Sequence, residues 1–334
     1  MPGVTALPEV DLRHPAGQLR TRLREVAHEV GFFYLTGHQV SETLVSRVLT
    51  AARRLFALPQ ADKDAVAMVR SPHFRGYTRL GGELTRGQVD WREQIDIGPE
   101  REPIGGPGKA HYLWLQGPNQ WPAGLPELPG LIAEWDAALA EVSRNLLRHW
   151  AAALGGPAEV FDAAFARAPA TLIKIVHYPA TAASSQGVGA HRDSGVLTLL
   201  LAEPGSHGLQ VRGRDGDWLD VPALEGAFIV NIGELLEFAT GGYLRATEHR
   251  VNLHQLADRI SVPYFFNPRL DAQVPTLSLP AELAERSGSR ADPSDPIFSV
   301  YGRNAWKSRL RAHPDVAAAH GYVTGSAQVV TPGG

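Results

Sequence analysis

The sequence contains no cysteine among its 334 residues. Disulfides, thiolate zinc sites, cysteine-ligated iron–sulfur clusters and a cysteine nucleophile are therefore excluded. Any metal ion must be bound by histidine, aspartate or glutamate, and the chain has 13 histidines. No stretch approaches the ~18 consecutive apolar residues of a transmembrane helix, and residues 1–15 lack the basic and apolar segments of a signal peptide. We expect a soluble, cytoplasmic protein.

A strong net charge is also lacking, because acidic and basic residues nearly balance at a formal charge of −3. Nucleic acids and anionic membranes both bind surfaces with a basic excess, so we expect neither as a main partner and a small-molecule substrate instead. Apolar residues make up 44% of the chain, which is enough to build a sizeable core. The oligomeric state stays open.

The first third of the chain is predicted to be mainly helical. Apolar residues at helical spacing predict helices over residues 19–30, 41–59 and 131–146. A short strand is predicted over residues 32–35, between the first two helices. Residues 70–130 contain many glycines and prolines with little periodicity, which indicates long loops with short strands that cover another part of the fold.

After residue 170 the pattern changes to short β-rich runs separated by turn signals, which favours a sandwich or barrel. We therefore predict a helical N-terminal region over residues 1–165, with loops covering the core. A β core follows over residues 166–334, with a closing helix over 301–313, and we expect one cooperative unit. The β-rich runs are residues 171–178, 196–202, 209–211, 218–221, 227–232, 247–253 and 259–266.

His191 and Asp193 form the most informative local pattern. Residues two apart in a strand point to the same face, so the imidazole and the carboxylate could converge. Gly189 and Gly195 flank the pair and would let the backbone pass close to a ligand. A His-x-Asp pair alone is weak evidence, because it also occurs at polar, half-exposed strand ends.

Three further residues follow the pair in an informative order. His249 lies in a later predicted strand, and Arg259 and Ser261 form a second pair of residues two apart. Two imidazoles and one carboxylate form the facial triad of non-haem Fe(II) oxygenases, which leaves coordination positions open. An arginine beside a hydroxyl suits a ligand carboxylate, because the guanidinium fork binds it bidentately.

This ordered set resembles the 2-oxoglutarate/Fe(II)-dependent oxygenases, in the branch of isopenicillin N synthase and the plant flavonoid and hormone dioxygenases. The resemblance covers most of the chain and includes "GFFYLTGH", "IKIVHYP", "GVGAHRDSGVLTLLL", "ATEHRV" and "RISVPYF". It implies a double-stranded β-helix, a jelly roll in which two sheets pack face to face. The expected fold class is therefore mainly β with a helical N-terminal layer and a jelly-roll core.

The resemblance also implies site residues. His191, Asp193 and His249 would bind Fe(II), and Arg259 and Ser261 would bind the distal carboxylate of 2-oxoglutarate. Two further positions match family residues near the pocket: Tyr178 would reach toward the co-substrate or substrate, and Asn231 would lie near the metal or hydrogen-bond a turn.

The activity implied by the resemblance is oxidation, by default hydroxylation, of an unactivated C–H bond with release of succinate and CO2. It requires Fe(II), 2-oxoglutarate and O2, and ascorbate would support activity. One alternative is an Fe(II) oxidase of the same fold without 2-oxoglutarate, in which Arg259 and Ser261 hold the substrate's own carboxylate. A catalytically silent jelly-roll binding protein is a third hypothesis.

Residues 75–98 resemble a region of bacterial members that include the ethylene-forming enzyme. Glu83 and Thr85 fall where that enzyme contacts a guanidinium, and Arg311 falls where it has a substrate-side arginine. His177 replaces an arginine of that enzyme, which puts the same substrate and outcome in doubt. If these residues line the pocket, the substrate is amino-acid-like, in secondary metabolism or amino-acid modification. Otherwise Glu83 is a solvated loop acid and Arg311 a surface residue.

Overall fold

The computed structural model describes residues 6–180, 186–253, 258–288 and 294–322, and within them the chain forms fourteen strands. The strands are β1 (Glu9–Asp11), β2 (Phe32–Thr36), β3 (Gly76–Thr78), β4 (Glu83–Thr85), β5 (Gln88–Asp90), β6 (Glu93–Ile97), β7 (Leu172–Tyr178), β8 (Gln186–His191), β9 (Leu197–Ala202), β10 (Leu209–Arg212), β11 (Trp218–Asp220), β12 (Phe228–Ile232), β13 (His249–Asn252) and β14 (Arg259–Phe266).

Nine α-helices lie in the same described ranges, together with two short 3-10 helices at Met68–Arg70 and His111–Leu115. Within the described part of the chain, no helix combines the length and the apolar character needed to cross a bilayer. The α-helices are α1 (Ala16–Glu29), α2 (Glu42–Phe56), α3 (Gln60–Ala65), α4 (Leu128–Ala153), α5 (Asp162–Phe165), α6 (Glu234–Ala239), α7 (Ala281–Ala284), α8 (Tyr301–Ala312) and α9 (Pro314–Ala319).

Two sheets form the β core. The large sheet has eight strands in the order β1-β2-β12-β9-β14-β7-β6-β3, and the small sheet has four in the order β11-β10-β13-β8. Apolar side chains of β2 and β12 pack against β10, and those of β7 pack against β8 and β13. The sheets therefore face each other, as the jelly-roll prediction requires, and the fold class is confirmed.

A helical layer covers the outer face of the large sheet. Helix α4 begins with Pro129 in its first turn, where the missing N–H costs nothing, and ends before Gly155, which adopts a positive φ of 84°. Its Trp135 and Trp150 are fully buried, and Trp150 Nε1 donates to the Leu23 carbonyl of α1 over 3.1 Å. The helices predicted over residues 19–30, 41–59 and 131–146 are confirmed as α1, α2 and α4.

The N-terminal region contributes more than a helical cover. Strands β1, β2, β3 and β6, all from residues 1–165, belong to the same large sheet as β7, β9, β12 and β14. Strand β6 lies in the segment that the sequence indicated as mostly loop, because its Gln94 and Asp96 are polar but fully buried. The boundary at residue 165 and the single cooperative unit stay predictions, and the shared sheet allows them to be tested.

We expect Ile95→Ala in β6 to destabilise both halves together. Ile95 is fully buried and lies in register with Ile175 of β7, so its truncation should cost about 2–5 kcal/mol of unfolding free energy. Native-state hydrogen exchange should show equal losses of protection in α4 and β14. The matched control Leu80→Ala, at a half-exposed position, should change neither. Loss of protection in α4 with β14 unchanged would show two independent units.

Candidate functional site

Three side chains converge where β8 ends and β13 begins. His191 and His249 are direct register partners in the small sheet, and their rings lie 4.3 Å apart between centroids. The Nε2 atoms of His191 and His249 lie 3.5 Å and 3.7 Å from the same Oδ1 atom of Asp193. One ligand atom from each of the three residues lies within 4.8 Å of the others. The residues predicted as metal ligands therefore share one point.

The route by which Asp193 reaches this point differs from the prediction. Strand β8 ends at His191, and Asp193 lies in the loop that follows instead of on the same strand face. The N–H of Glu234 donates to the Asp193 carbonyl over 2.7 Å, which fixes this loop on the start of α6. A Cβ atom at Gly233 would lie 2.1 Å from the Gly195 carbonyl oxygen, so only glycine allows this contact.

Hydrogen bonds to backbone carbonyls fix the orientation of both imidazole rings. His191 Nδ1 lies 2.8 Å from the Gly189 carbonyl oxygen, and His249 Nδ1 lies 3.1 Å from the Thr247 carbonyl oxygen. Because a carbonyl only accepts, each Nδ1 carries the hydrogen and each neutral ring presents the Nε2 lone pair. Both lone pairs are available to a metal ion next to Asp193.

Two hydrogen bonds hold the Asp193 carboxylate so that one oxygen is left for a metal. Thr198 Oγ1 donates to Asp193 Oδ2 over 2.5 Å, and Asn231 Nδ2 donates to the same oxygen over 2.8 Å. Thr198 of β9 and Asn231 of β12 are register partners, so neighbouring strands supply both donors. Oδ1, the other oxygen, faces the two imidazoles. Asn231 therefore lies next to the proposed metal ligand Asp193.

The charges of the cluster suit a divalent cation. Burial opposes ionisation of Asp193, but the charge of His249 and the hydrogen bonds from its neighbours hold the pKa of this carboxyl below its usual range. Burial and the charge of His191 lower the pKa of His249 to about 4. Burial also disfavours the charged form of His191, yet the adjacent Asp193 raises its pKa. An anionic carboxylate and two nitrogen donors form the ligand set that Fe(II) takes in a facial triad.

Arg259 lies in the core near its register partner Tyr178. Its guanidinium lies 5.0 Å from the centroid of the Tyr178 ring, and its side chain is 3% exposed. Its Nε and Nη1 atoms have no hydrogen-bond partner among the described residues, and burial lowers its pKa. Ser261, two residues on and equally buried, shares its strand face. Buried donors without partners are costly, so this pair fits a bound carboxylate such as that of 2-oxoglutarate.

A cavity of about 880 Å³ opens onto His191 and Asp193. Three residues predicted for substrate binding, Glu83, Thr85 and Arg311, line it as well. Glu83 is buried, so the interpretation as a solvated loop acid is wrong. Arg311 lies at the rim, because its side chain is 59% exposed and pairs with Asp295 at 2.6 Å.

His177, the fourth residue predicted for substrate binding, is not among the residues that line this cavity. Its Nδ1 contacts Glu93 at 2.7 Å and its Nε2 contacts Asp258 at 2.6 Å, while its ring stacks on Phe56 of α2. In β7 it alternates with Tyr178, which faces the small sheet, so the imidazole points to the helical side. We therefore leave His177 out of the substrate site.

Several functional candidates were missed from the sequence. Thr198 is the single polar residue of β9, Lys174 lies between two isoleucines in β7, and Asp96 lies between two isoleucines in β6. A buried polar residue in an apolar strand is the signal that could have identified them, because such residues need a partner. Lys174 Nζ contacts Glu83 at 2.8 Å and Asp96 at 3.1 Å.

Comparisons with known proteins agree with this geometry. A family model described as "non-haem dioxygenase in morphine synthesis N-terminal" matches residues 7–124, and one described as "2OG-Fe(II) oxygenase superfamily" matches residues 170–268. The chain is 34% identical over 316 residues to the 2-oxoglutarate-dependent dioxygenase frbJ of Dothideomycetidae sp. (strain 11243), a match that covers 88% of this chain and 85% of that protein.

Two further proteins are similar to the chain. A homoarginine-6-hydroxylase of Glycine max is 34% identical over 266 residues, which cover 77% of this chain and 79% of that protein. The crystal structure of a dioxygenase for auxin oxidation in rice has a similar fold, with a TM-score of 0.65 at 24% identity over 91% of this chain and 95% of that one.

The chain belongs to the 2-oxoglutarate/Fe(II)-dependent oxygenase superfamily. It is an oxidoreductase, a dioxygenase whose co-substrates are 2-oxoglutarate and O2 and whose metal is Fe(II). The alternative of an oxidase that does not use 2-oxoglutarate is not favoured, because the relatives are named as 2-oxoglutarate-dependent enzymes. The closer similarity to the ethylene-forming enzyme stays a prediction.

We expect Thr198→Val to weaken metal binding without unfolding the protein. The loss of its hydrogen bond frees the Asp193 carboxylate to rotate, which should lower Mn(II) affinity about 10- to 100-fold in anaerobic calorimetry. Thr240→Val also removes a buried hydroxyl, one that donates to the Leu236 carbonyl, and should leave Mn(II) affinity unchanged. Equal Mn(II) affinity in the two variants would contradict a role for Thr198 in orienting Asp193.

Proposed function

We propose that His191, Asp193 and His249 bind the Fe(II) of this dioxygenase and that the cavity beside them binds a small, amino-acid-like substrate, which the enzyme hydroxylates. The observation that carries the proposal is the convergence of both imidazole Nε2 atoms on Asp193 Oδ1, while Thr198 and Asn231 hydrogen-bond the other oxygen, Oδ2. Three protein ligands leave the remaining coordination positions for co-substrates.

Bound Fe(II) would let O2 act as the oxidant: one oxygen atom would enter succinate as 2-oxoglutarate loses CO2, and the other would enter an unactivated C–H bond of the substrate. The protein residues hold the reactants in place. Carbonyl groups of Gly189 and Thr247 keep the two imidazoles in the tautomer that binds metal. Thr198 and Asn231 keep Asp193 ionised and oriented.

Arg259 and Ser261 are proposed to bind the distal carboxylate of 2-oxoglutarate. The support is the buried guanidinium with two unpartnered nitrogens, since a dicarboxylate would supply the missing acceptors. Tyr178, whose ring lies under the guanidinium, would restrict its position and exclude water. Pro263 and Phe265 continue the same strand face and line the cavity, so the co-substrate site and the cavity share a wall.

The proposed substrate class rests on the relatives and on the cavity. Plant relatives that are 31–34% identical to this chain are named homoarginine-6-hydroxylases. The cavity has a volume within the range of small-molecule sites and is lined by charged groups of both signs, which suits a zwitterion. We propose that Glu83 and Thr85 of β4 face this substrate from the cavity wall and that Arg311 of α8 faces it from the rim.

The setting proposed for the enzyme follows from the composition of the chain. A cysteine-free chain with a formal charge of −3 offers neither a disulfide framework nor a basic surface. We propose action in the cytoplasm on a free small molecule, without nucleic acid or membrane as a partner. Ascorbate would support activity by keeping the metal in the Fe(II) state.

Arg259→Gln is expected to weaken 2-oxoglutarate binding about 10²-fold, because a desolvated carboxylate loses its charged partner. The readout is the dissociation constant of 2-oxoglutarate, measured anaerobically from the visible absorption of the Fe(II) complex. Arg250→Gln is the matched control, since this β13 arginine donates to Gln210 and does not line the cavity. Equal affinities in the two variants would refute the Arg259 assignment.

A succinate-release screen tests the substrate class. L-homoarginine and L-arginine should raise the rate of succinate formation by the Fe(II)-loaded wild type above the substrate-free rate, and mass spectrometry should show the addition of one oxygen atom. Thymine, a neutral compound of similar size, is the comparison. Stimulation by thymine but by neither amino acid would exclude an amino-acid-like substrate.

A further inference from the structure

Arg75 is a second buried arginine with an incomplete set of partners. It lies directly before β3, its side chain is 7% exposed, and it lines the same cavity as His191 and Asp193. Its Nη2 donates to the Leu115 carbonyl over 3.0 Å, but its Nε has no hydrogen-bond partner in the part of the chain that the structure describes. Arg75 is therefore a buried cation on the cavity wall with an incomplete set of partners, and an anionic ligand in the cavity would balance its charge.

The charges around Arg75 balance without it. Three buried cations that line the wall of this cavity pair with three buried acids. Arg75 differs, because no carboxylate of a described residue lies within 4.0 Å of its guanidinium, the limit for an ion pair. Arg75 therefore adds a positive charge to the wall that no direct ion pair with a described residue balances, and the attraction of Asp96 and Glu100 offsets its burial only in part. The pairs are Arg92 with Glu83 at 2.6 Å and Asp90 at 3.5 Å, Lys174 with Glu83 at 2.8 Å and Asp96 at 3.1 Å, and Arg309 with Asp96 at 2.5 Å.

This partly balanced charge is energetically unfavourable in the structure as it stands. Burial, together with the nearby charge of Arg309, lowers the pKa of Arg75 to about 10. An isolated cation in a protein interior is costly unless an anion pairs with it.

We propose that the Arg75 guanidinium binds a carboxylate of the substrate and thereby selects anionic molecules. This inference rests on the proposed function, because it takes the cavity beside the triad as the substrate site. The 2-oxoglutarate carboxylate is assigned to Arg259, which leaves Arg75 for the other reactant. Arg311, the candidate from the sequence, is ion-paired and largely exposed, so it offers a weaker anion site.

Gly98 holds the guanidinium in place. A Cβ atom at Gly98 would lie 2.1 Å from Arg75 Nη2 and 2.8 Å from its Nε, so any larger residue must displace the guanidinium. Gly98→Ala therefore moves the charge without removing it. This gives a second variant whose effect on carboxylate binding should resemble that of Arg75→Gln.

Binding is measured on protein loaded with Mn(II) and saturating N-oxalylglycine, a 2-oxoglutarate analogue, so that the Arg259 site is filled. The probes are L-homoarginine and L-arginine, each compared with its carboxamide, in calorimetry. The wild type should bind each acid about 10²-fold more tightly than the amide. Arg75→Gln and Gly98→Ala should lose this preference. Arg101→Gln removes a different cation that lines the same cavity, and this variant should keep the preference for the acid over the amide.

Thermal melting without substrate separates a ligand-binding arginine from a structural one. Arg75→Gln should melt at or above the wild-type temperature, because it removes an unpaired buried charge. Arg92→Gln should melt lower, because it leaves Glu83 and Asp90 without a charged partner. A fall for Arg75→Gln as large as that for Arg92→Gln would overturn the proposal.

The other outcomes are equally decisive. Unchanged acid affinity in Arg75→Gln, equal binding of acid and amide by the wild type, or no binding of either acid would overturn the carboxylate site. Failure of Mn(II) and N-oxalylglycine to raise the melting temperature of the wild type would instead contradict the proposed co-substrate and metal residues. A failure of the Arg75 carboxylate site can therefore be distinguished from a failure of the proposed metal and co-substrate residues.

Discussion

The site depends on the Asp193 carboxylate, whose two oxygen atoms have different partners. Thr198 and Asn231 hydrogen-bond one oxygen of Asp193, and the other oxygen faces His191 and His249. A buried carboxylate is costly unless donors and cations surround it, and here the fold supplies the donors from two neighbouring strands. The described side chains leave part of the negative charge of Asp193 unbalanced. A divalent metal ion at the proposed site would balance it.

The same physical logic applies to the two unpaired arginines. Natural cores satisfy nearly all buried donors, and exceptions concentrate where a ligand belongs. Arg259 lies between the sheets, and Arg75 lies on the cavity wall among pairs that already balance. Each keeps an unsatisfied positive charge that an anionic reactant can neutralise. On the proposed assignments, these two buried guanidinium groups would each gain an anionic partner when the reactants bind.

Much of this arrangement could be predicted from the sequence, and the rest could not for identifiable reasons. The helices α1, α2 and α4 follow from apolar spacing, and the convergence of His191 and His249 was implied by the family resemblance. Short strands were expected between residues 70 and 130, but β6 was not located among them because two of its buried residues, Gln94 and Asp96, are polar. His177 was misplaced because a resemblance in sequence position does not show which face of β7 a side chain occupies.

The central claim is that His191, Asp193 and His249 together hold the metal. Anaerobic titration of Fe(II) into the wild type and into His249→Ala tests it most directly. The account predicts one equivalent of tightly bound Fe(II) in the wild type and none in the variant, with both proteins folded by circular dichroism. One equivalent bound by His249→Ala with wild-type affinity would contradict it.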